Sequence, residues 1–131
     1  VQPSAVAPLA ALQREARFVD FVKEPLDALD DATVGAASRN VQKRCAETLE
    51  RFFAIRPLSA ETEGAPIELD ADAAKNSTRV RVMNVRTARD AEKIAGRLAH
   101  SGWRATKNAV PKWSGTADDA FVLAPMEIDC E

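Results

Sequence analysis

Apolar positions in the first part of the chain recur at three- and four-residue spacing, the period of a helix with one face inward. Leu9, Leu12, Ala16 and Val19 form the first such stripe. Pro25 limits this helix: it disfavours helical geometry at Glu24 and has no backbone N–H to donate. Asp30 or Asp31 then offers a side-chain oxygen to an orphan N–H at the start of a second helix. Val34, Val41, Cys45, Leu49 and Phe52 share one stripe of that helix, which is expected to end near Ile55, before Pro57. The short connection predicts an antiparallel helical hairpin over residues 8–55.

After Pro57 the pattern changes. Residues 58–66 are rich in Pro, Gly, Ser and Glu and read as a loop. Pro66 to Leu69 is a short strand candidate. Thr78 to Val85 alternates, with Val80 and Val82 on one face and Arg79, Arg81 and Met83 on the other, the pattern of a half-buried strand. Residues 103–110 and 121–128 are further strand candidates.

Residues 87–100 read two ways. Thr87 to Asp90 can cap a helix with Ala91, Ile94, Ala95 and Leu98 inward and Gly102 as its stop. Alternatively the stretch is a hairpin strand running into Trp103, with a bulge at Ser101–Gly102. The fold class expected is α+β: an N-terminal antiparallel helical hairpin packed on a small, mostly antiparallel β-sheet or open barrel. Residues 1–131 are expected to form a single domain, with 8–55 as the hairpin and 56–131 as the β-rich part. The expected core is Leu12, Val19, Phe21, Val34, Val41, Leu49, Phe52, Val80, Val82, Leu98, Trp103, Val122 and Leu123.

Composition narrows the class. Hydrophobic residues make up 46% and charged residues 29% of the 131, the balance of a globular protein and not of a disordered tail. No apolar run approaches the roughly 20 residues of a membrane-spanning helix, so no membrane association is expected of this segment. The chain begins at Val1 without an initiator Met, as expected of a domain excised from a longer protein. The two cysteines, Cys45 and Cys130, fit reduced or buried thiols, and a cytoplasmic location is expected. The net charge of −2 hides an asymmetry. Residues 75–112 carry ten Lys/Arg against two acids, a balance of +8, which leaves −10 on the rest.

Several runs carry a family resemblance: Leu12 to Phe21, including Arg17 and Asp20; Asp31 to Arg39, including Gly35, followed by Cys45; Gly96 to Arg104, including His100 and Trp103; then Pro111; and Ala124 to Glu127. In that order they resemble a bacterial family known as domain of unknown function 2760, over most of the chain. The family has no established activity. Its members carry a Pro-Pro-Phe segment before the Gly-x-Leu-x-His piece, which favours strand there and implies a β hairpin over 94–110. This chain lacks those prolines and has the longer stretch from Arg86 to Ile94 instead. It also has Val41 and Gln42 where many relatives place a histidine, so no metal or acid–base role is expected at that point. Genes of the family lie beside genes for chaperones of the 70-kDa heat-shock class, which implies a co-chaperone or adaptor role.

Four polar residues stand out for chemistry. Gln13, Arg17 and Asp20 lie on one helical stripe with Glu24, and Arg39 of the second helix is placed to reach across. They form either a site for a carboxylate or phosphate, with the arginines as donors, or an ion-pair network that fixes the hairpin. The second reading is favoured. Gly35 inside the second helix, where glycine costs about 1 kcal/mol against alanine, is expected to admit the first helix closely. Arg79, Arg81 and Arg104 form a candidate basic surface, with Trp103 and Trp113 available to stack on bases. His100 is the single histidine. No glycine-rich phosphate loop, Cys/His metal spacing or nucleophile elbow is present, so no cofactor, metal or catalytic residue is expected.

The reading that follows is a non-catalytic interaction or adaptor domain with a protein partner, associated with a 70-kDa heat-shock-type chaperone system. The alternatives are a nucleic-acid-binding module using residues 75–112, and an enzyme of unknown class built around Arg17, Asp20, Arg39 and His100.

Overall fold

Pro25 ends the first helical stretch as expected, because Glu24 before it is held extended at ψ 128°. The computed structural model describes residues 5–75, 77–84, 92–112 and 115–130. The chain divides into two compact units, residues 1–55 with 105–131, and residues 56–104.

In the first unit, α1 spans Val6–Ala16, α2 Phe18–Lys23 and α3 Asp31–Phe53. α1 and α2 are separated by one residue, Arg17, in the left-handed conformation at φ 57°. α3 starts where Asp30 accepts the Thr33 N–H at 2.7 Å, the bond an N-cap aspartate makes. It ends at Ala54, also left-handed at φ 44°. The last carbonyls of α3 lack helical partners and are taken by distant chain. Thr106 N–H reaches Phe53 O at 2.9 Å, Ala109 N–H reaches Phe52 O at 2.8 Å, and the Thr106 hydroxyl reaches Ala54 O at 2.6 Å. Residues 105–110 are thereby fixed to the helix end. A short 3₁₀ turn, Ala117–Asp119, follows.

In the second unit, β2 (Pro66–Asp70) pairs antiparallel with β3 (Lys93–Arg97), Leu69 opposite Ile94 and Ile67 opposite Gly96. Half-buried Ile67, Leu69 and Ile94 share one face with Gly96; Glu68, Asp70 and Lys93 share the other, where Lys93 Nζ lies 3.3 Å from Glu68 Oε1. α4 (Ala71–Lys75) follows β2 directly. The chain enters this unit along β1 (Ile55–Pro57) and leaves along β4 (Trp103–Ala105), which pair with each other.

The architecture is α+β, helices with small two-stranded sheets. Several expected strands are corrected. Residues 77–84 form none: the Ser77 hydroxyl takes the Arg79 N–H, and Asn84 turns to φ 55°. Val80 and Val82 are still half-buried while Arg79, Arg81 and Met83 are exposed, so the alternation marks faces without marking a ladder. Residues 94–110 do not close on themselves as a hairpin. β3 and β4 exist, but the carbonyls of Ser101 and Gly102 are taken by Ser59 and Leu58, so each strand pairs elsewhere. The helix alternative fails over Lys93–Arg97 for the same reason, and residues 87–91 lie outside the described residues. In 121–128 the Val122 N–H turns back to Asp119 O, and Pro125 has no N–H for a ladder.

The core is also corrected. Among the described residues the buried apolar ones are Ala11, Ala16, Phe52, Ala71, Ala74 and Ala120. Phe52 alone is both large and expected. Trp103 and Val122, expected inside, are exposed, and the other expected residues are half-buried. Gly35 is corrected as well: a Cβ there would meet nothing within 4 Å, so no close helix approach explains it.

Candidate functional site

Two features stand out as candidate sites, a polar cluster at the α1–α2 joint and an apolar segment near the end of the described chain.

The joint follows from the break at Arg17. A helix start leaves backbone N–H groups unpaired, and the Arg17 side chain at the cap position accepts nothing. Gln13, buried on the inward face of α1, supplies the acceptor instead. Its Oε1 takes the Val19 N–H at 2.8 Å and the Asp20 N–H at 3.2 Å. The Gln13 side-chain amide first, and the Arg17 guanidinium second, hold Asp20 below the usual carboxylate range. Arg17 Nε lies 2.7 Å from Asp20 Oδ2. Gln13, Arg17 and Asp20 are therefore brought together as a helix cap. Arg39 is exposed on α3, and no hydrogen bond or ion pair among the described residues joins it to the other three. A carboxylate held ionised and already paired is a poor proton donor or acceptor near neutral pH.

A second polar link ties α1 to α3. Arg51 Nη2 lies 3.1 Å from Glu15 Oε2, and Arg14 Nε 3.3 Å from Glu15 Oε1. Arg51 and then Arg14 lower the Glu15 carboxyl below its usual range. The same Arg51 guanidinium lies 4.9 Å over the Phe52 ring.

Among the other groups singled out by sequence, Arg79 and Arg81 are exposed in the irregular segment 77–84 and Arg104 is exposed on β4. Trp113 lies outside the described residues. His100 accepts the Gly102 N–H on Nδ1 at 2.9 Å and lies edge-on to Trp103 at 6.1 Å. That bond locks a turn. Both cysteines are free, Cys130 exposed and Cys45 half-buried, where burial pushes the Cys45 thiol up, away from a reactive thiolate. An open hollow of about 660 Å³ runs along residues 57–63. Its hydroxyls are engaged: Ser59 Oγ accepts from Glu61 N–H, and Ser101 Oγ donates to Glu61 O. Among the described residues no group of three His, Cys, Asp or Glu is placed to hold a metal ion. None of their helices is long and apolar enough to cross a membrane.

The sequence pattern missed the apolar segment. Phe121 is 74% exposed, Met126 87% and Ile128 78%, with Val122 also outside. Residues 122–130 form no helix or strand, and Met126 and Ile128 alternate with Glu127 and Asp129. The signal available in the sequence was Pro125, which interrupts the run that reads as a strand.

These features define an α+β chain with a long helix in one unit and a short antiparallel ribbon in the other. The chain belongs to the family described as Domain of unknown function (DUF2760), whose family model matches residues 1–129. No curated protein and no solved structure matches it.

Proposed function

We propose that the chain is a non-catalytic interaction domain of the cytoplasm that recognises a protein partner through the apolar residues of 121–128. One observation carries this reading. Phe121, Val122, Met126 and Ile128 of that segment lie in water, while the described interior is built mainly from alanine. Apolar surface left in water forgoes about 25 cal/mol per Å² of burial, and contiguous exposed apolar surface marks interaction sites. Affinity then comes from Phe121, Met126 and Ile128 as anchors, and selectivity from the neighbouring acids.

The finer form of the reading is an adaptor for a chaperone of the 70-kDa heat-shock class. Its support is the role implied by the family resemblance. A nucleic-acid-binding module is the second reading, favoured by the exposure of Arg79, Arg81 and Arg104 with a 65% exposed Trp103.

A photo-reactive amino acid at position 126 tests the first reading in cells. The expected result is one dominant adduct with a different protein, reduced at least about fivefold by Phe121→Ser/Ile128→Ser. Adducts that are absent, or that survive the double variant, contradict it. Titration calorimetry with a purified 70-kDa chaperone tests the finer form, and an absence of binding there overturns that form alone.

A further inference from the structure

Two exposed apolar features lie in stretches of opposite charge along the sequence. From residue 113 to 131 the chain has five acids and no Lys or Arg. Within that stretch Met126 and Ile128 point outward between Glu127 and Asp129, on backbone with no helix or strand. The other feature is Trp103, 65% exposed and followed by the exposed Arg104. It belongs to the stretch that carries ten Lys/Arg against two acids. His100, itself fixed by the Gly102 N–H, holds the Trp103 ring from one side. β4, which carries both residues, pairs with β1 alone among the described strands.

We infer that segment 121–129 of one chain docks on the Trp103–Arg104 surface of a second copy. Charge complementarity selects this occupant. Both apolar features are open in a single chain, and one contact between two chains covers both while setting acids against arginines. An extended segment with alternating apolar and acidic side chains is also suited to lie along a strand edge: its backbone supplies hydrogen bonds and its alternate side chains fill one face. Here Met126 and Ile128 cover Trp103, and Glu127 and Asp129 face Arg104. Segment and surface are different parts of the chain, so each contact takes one of them from each copy. This assembly is separate from recognition of a different protein, although it uses the same anchors.

Sedimentation velocity on the full chain across concentration and salt tests the proposal. The wild-type chain is expected to self-associate at low salt, with association weakened about tenfold or more on raising the salt from ~50 to ~500 mM. Met126→Ser/Ile128→Ser and Trp103→Ser change exposed side chains, and each variant alone is expected to be monomeric with an unchanged circular dichroism spectrum. Mixed together, the two variants each retain one intact surface and are expected to form a dimer and nothing larger. A wild-type chain that stays monomeric overturns the proposal, as does a mixture that forms no dimer. If position 126 still cross-links a different protein in that case, the partner reading stands while this one falls.

Discussion

The side-chain oxygen of Gln13 sits 2.8 Å from the backbone nitrogen of Val19, six residues away, and caps the helix that Val19 belongs to. A buried glutamine of one helix thus completes the start of the next. The polar set that looks like a site in the sequence is in this respect a joint. Gln13→Ala is expected to leave the Val19 and Asp20 N–H groups without their acceptor and to cost about 1–2 kcal/mol. Urea denaturation measures that cost. The Asp20 carboxyl should also rise toward its ordinary range in this variant, which side-chain carbon chemical shifts followed against pH report. A Gln13→Ala chain with wild-type stability contradicts the capping role.

Three carboxylates are held low: Asp20 by Gln13 and then Arg17, Glu15 by Arg51 and then Arg14, and Asp30 by Thr33. A carboxyl whose folded value lies below its unfolded value stabilises the fold above the ordinary range, near about 4. That contribution fades as pH falls through the lowered folded values. The thermal midpoint is therefore expected to be flat from neutral pH to about 5 and to fall below about 4. Arg51→Met should make the acid-side fall shallower, because it releases Glu15. A midpoint independent of pH down to about 2 excludes this linkage.

Two backbone substitutions are expected to stabilise. Gly35 lies inside α3 with open space where a Cβ would be, so Gly35→Ala should add about 1 kcal/mol. Ala54 holds a left-handed conformation at the end of the same helix, so Ala54→Gly should add about 1 kcal/mol in the opposite chemical direction. Gly102→Ala should destabilise: φ is 72° there and the added Cβ would lie 3.1 Å from Leu58 Cβ. Denaturant midpoints of the three single variants decide the signs, and a stabilising Gly102→Ala would contradict the turn geometry.

The nucleic-acid reading has its own separable outcome. It requires a gel shift that weakens with salt and weakens further in Arg79→Glu/Arg81→Glu. Equal binding by the double variant removes that reading.

The helices were legible because their signals are local. Asp30, Pro25 and the stripe from Val34 to Phe52 each act within a turn or two. The break at Arg17 was not, because a non-glycine residue in the left-handed region carries no sequence marker, and its acceptor comes from Gln13 in the preceding helix. The strands were partly legible. β2 emerged where Pro66 to Leu69 stood out. The partners of β3 and β4 are set by contacts about 25 to 44 residues away, such as Leu69 with Ile94 and Leu58 with Gly102. The core misled because burial favoured alanines over the large residues of each stripe. The exposed segment went unread because alternation looks the same whether or not a neighbouring strand completes a ladder.

The Gln13 joint holds the start of α2, and the proposed partner contact is assigned to segment 121–128, a separate part of the chain. Cross-link yield from a photo-reactive residue at position 126, per folded molecule, tests that division directly. Gln13→Ala, assayed well below its melting temperature, is expected to keep the wild-type yield, whereas Phe121→Ser/Ile128→Ser loses most of it. Loss of yield in Gln13→Ala with full yield in the double variant would contradict the account.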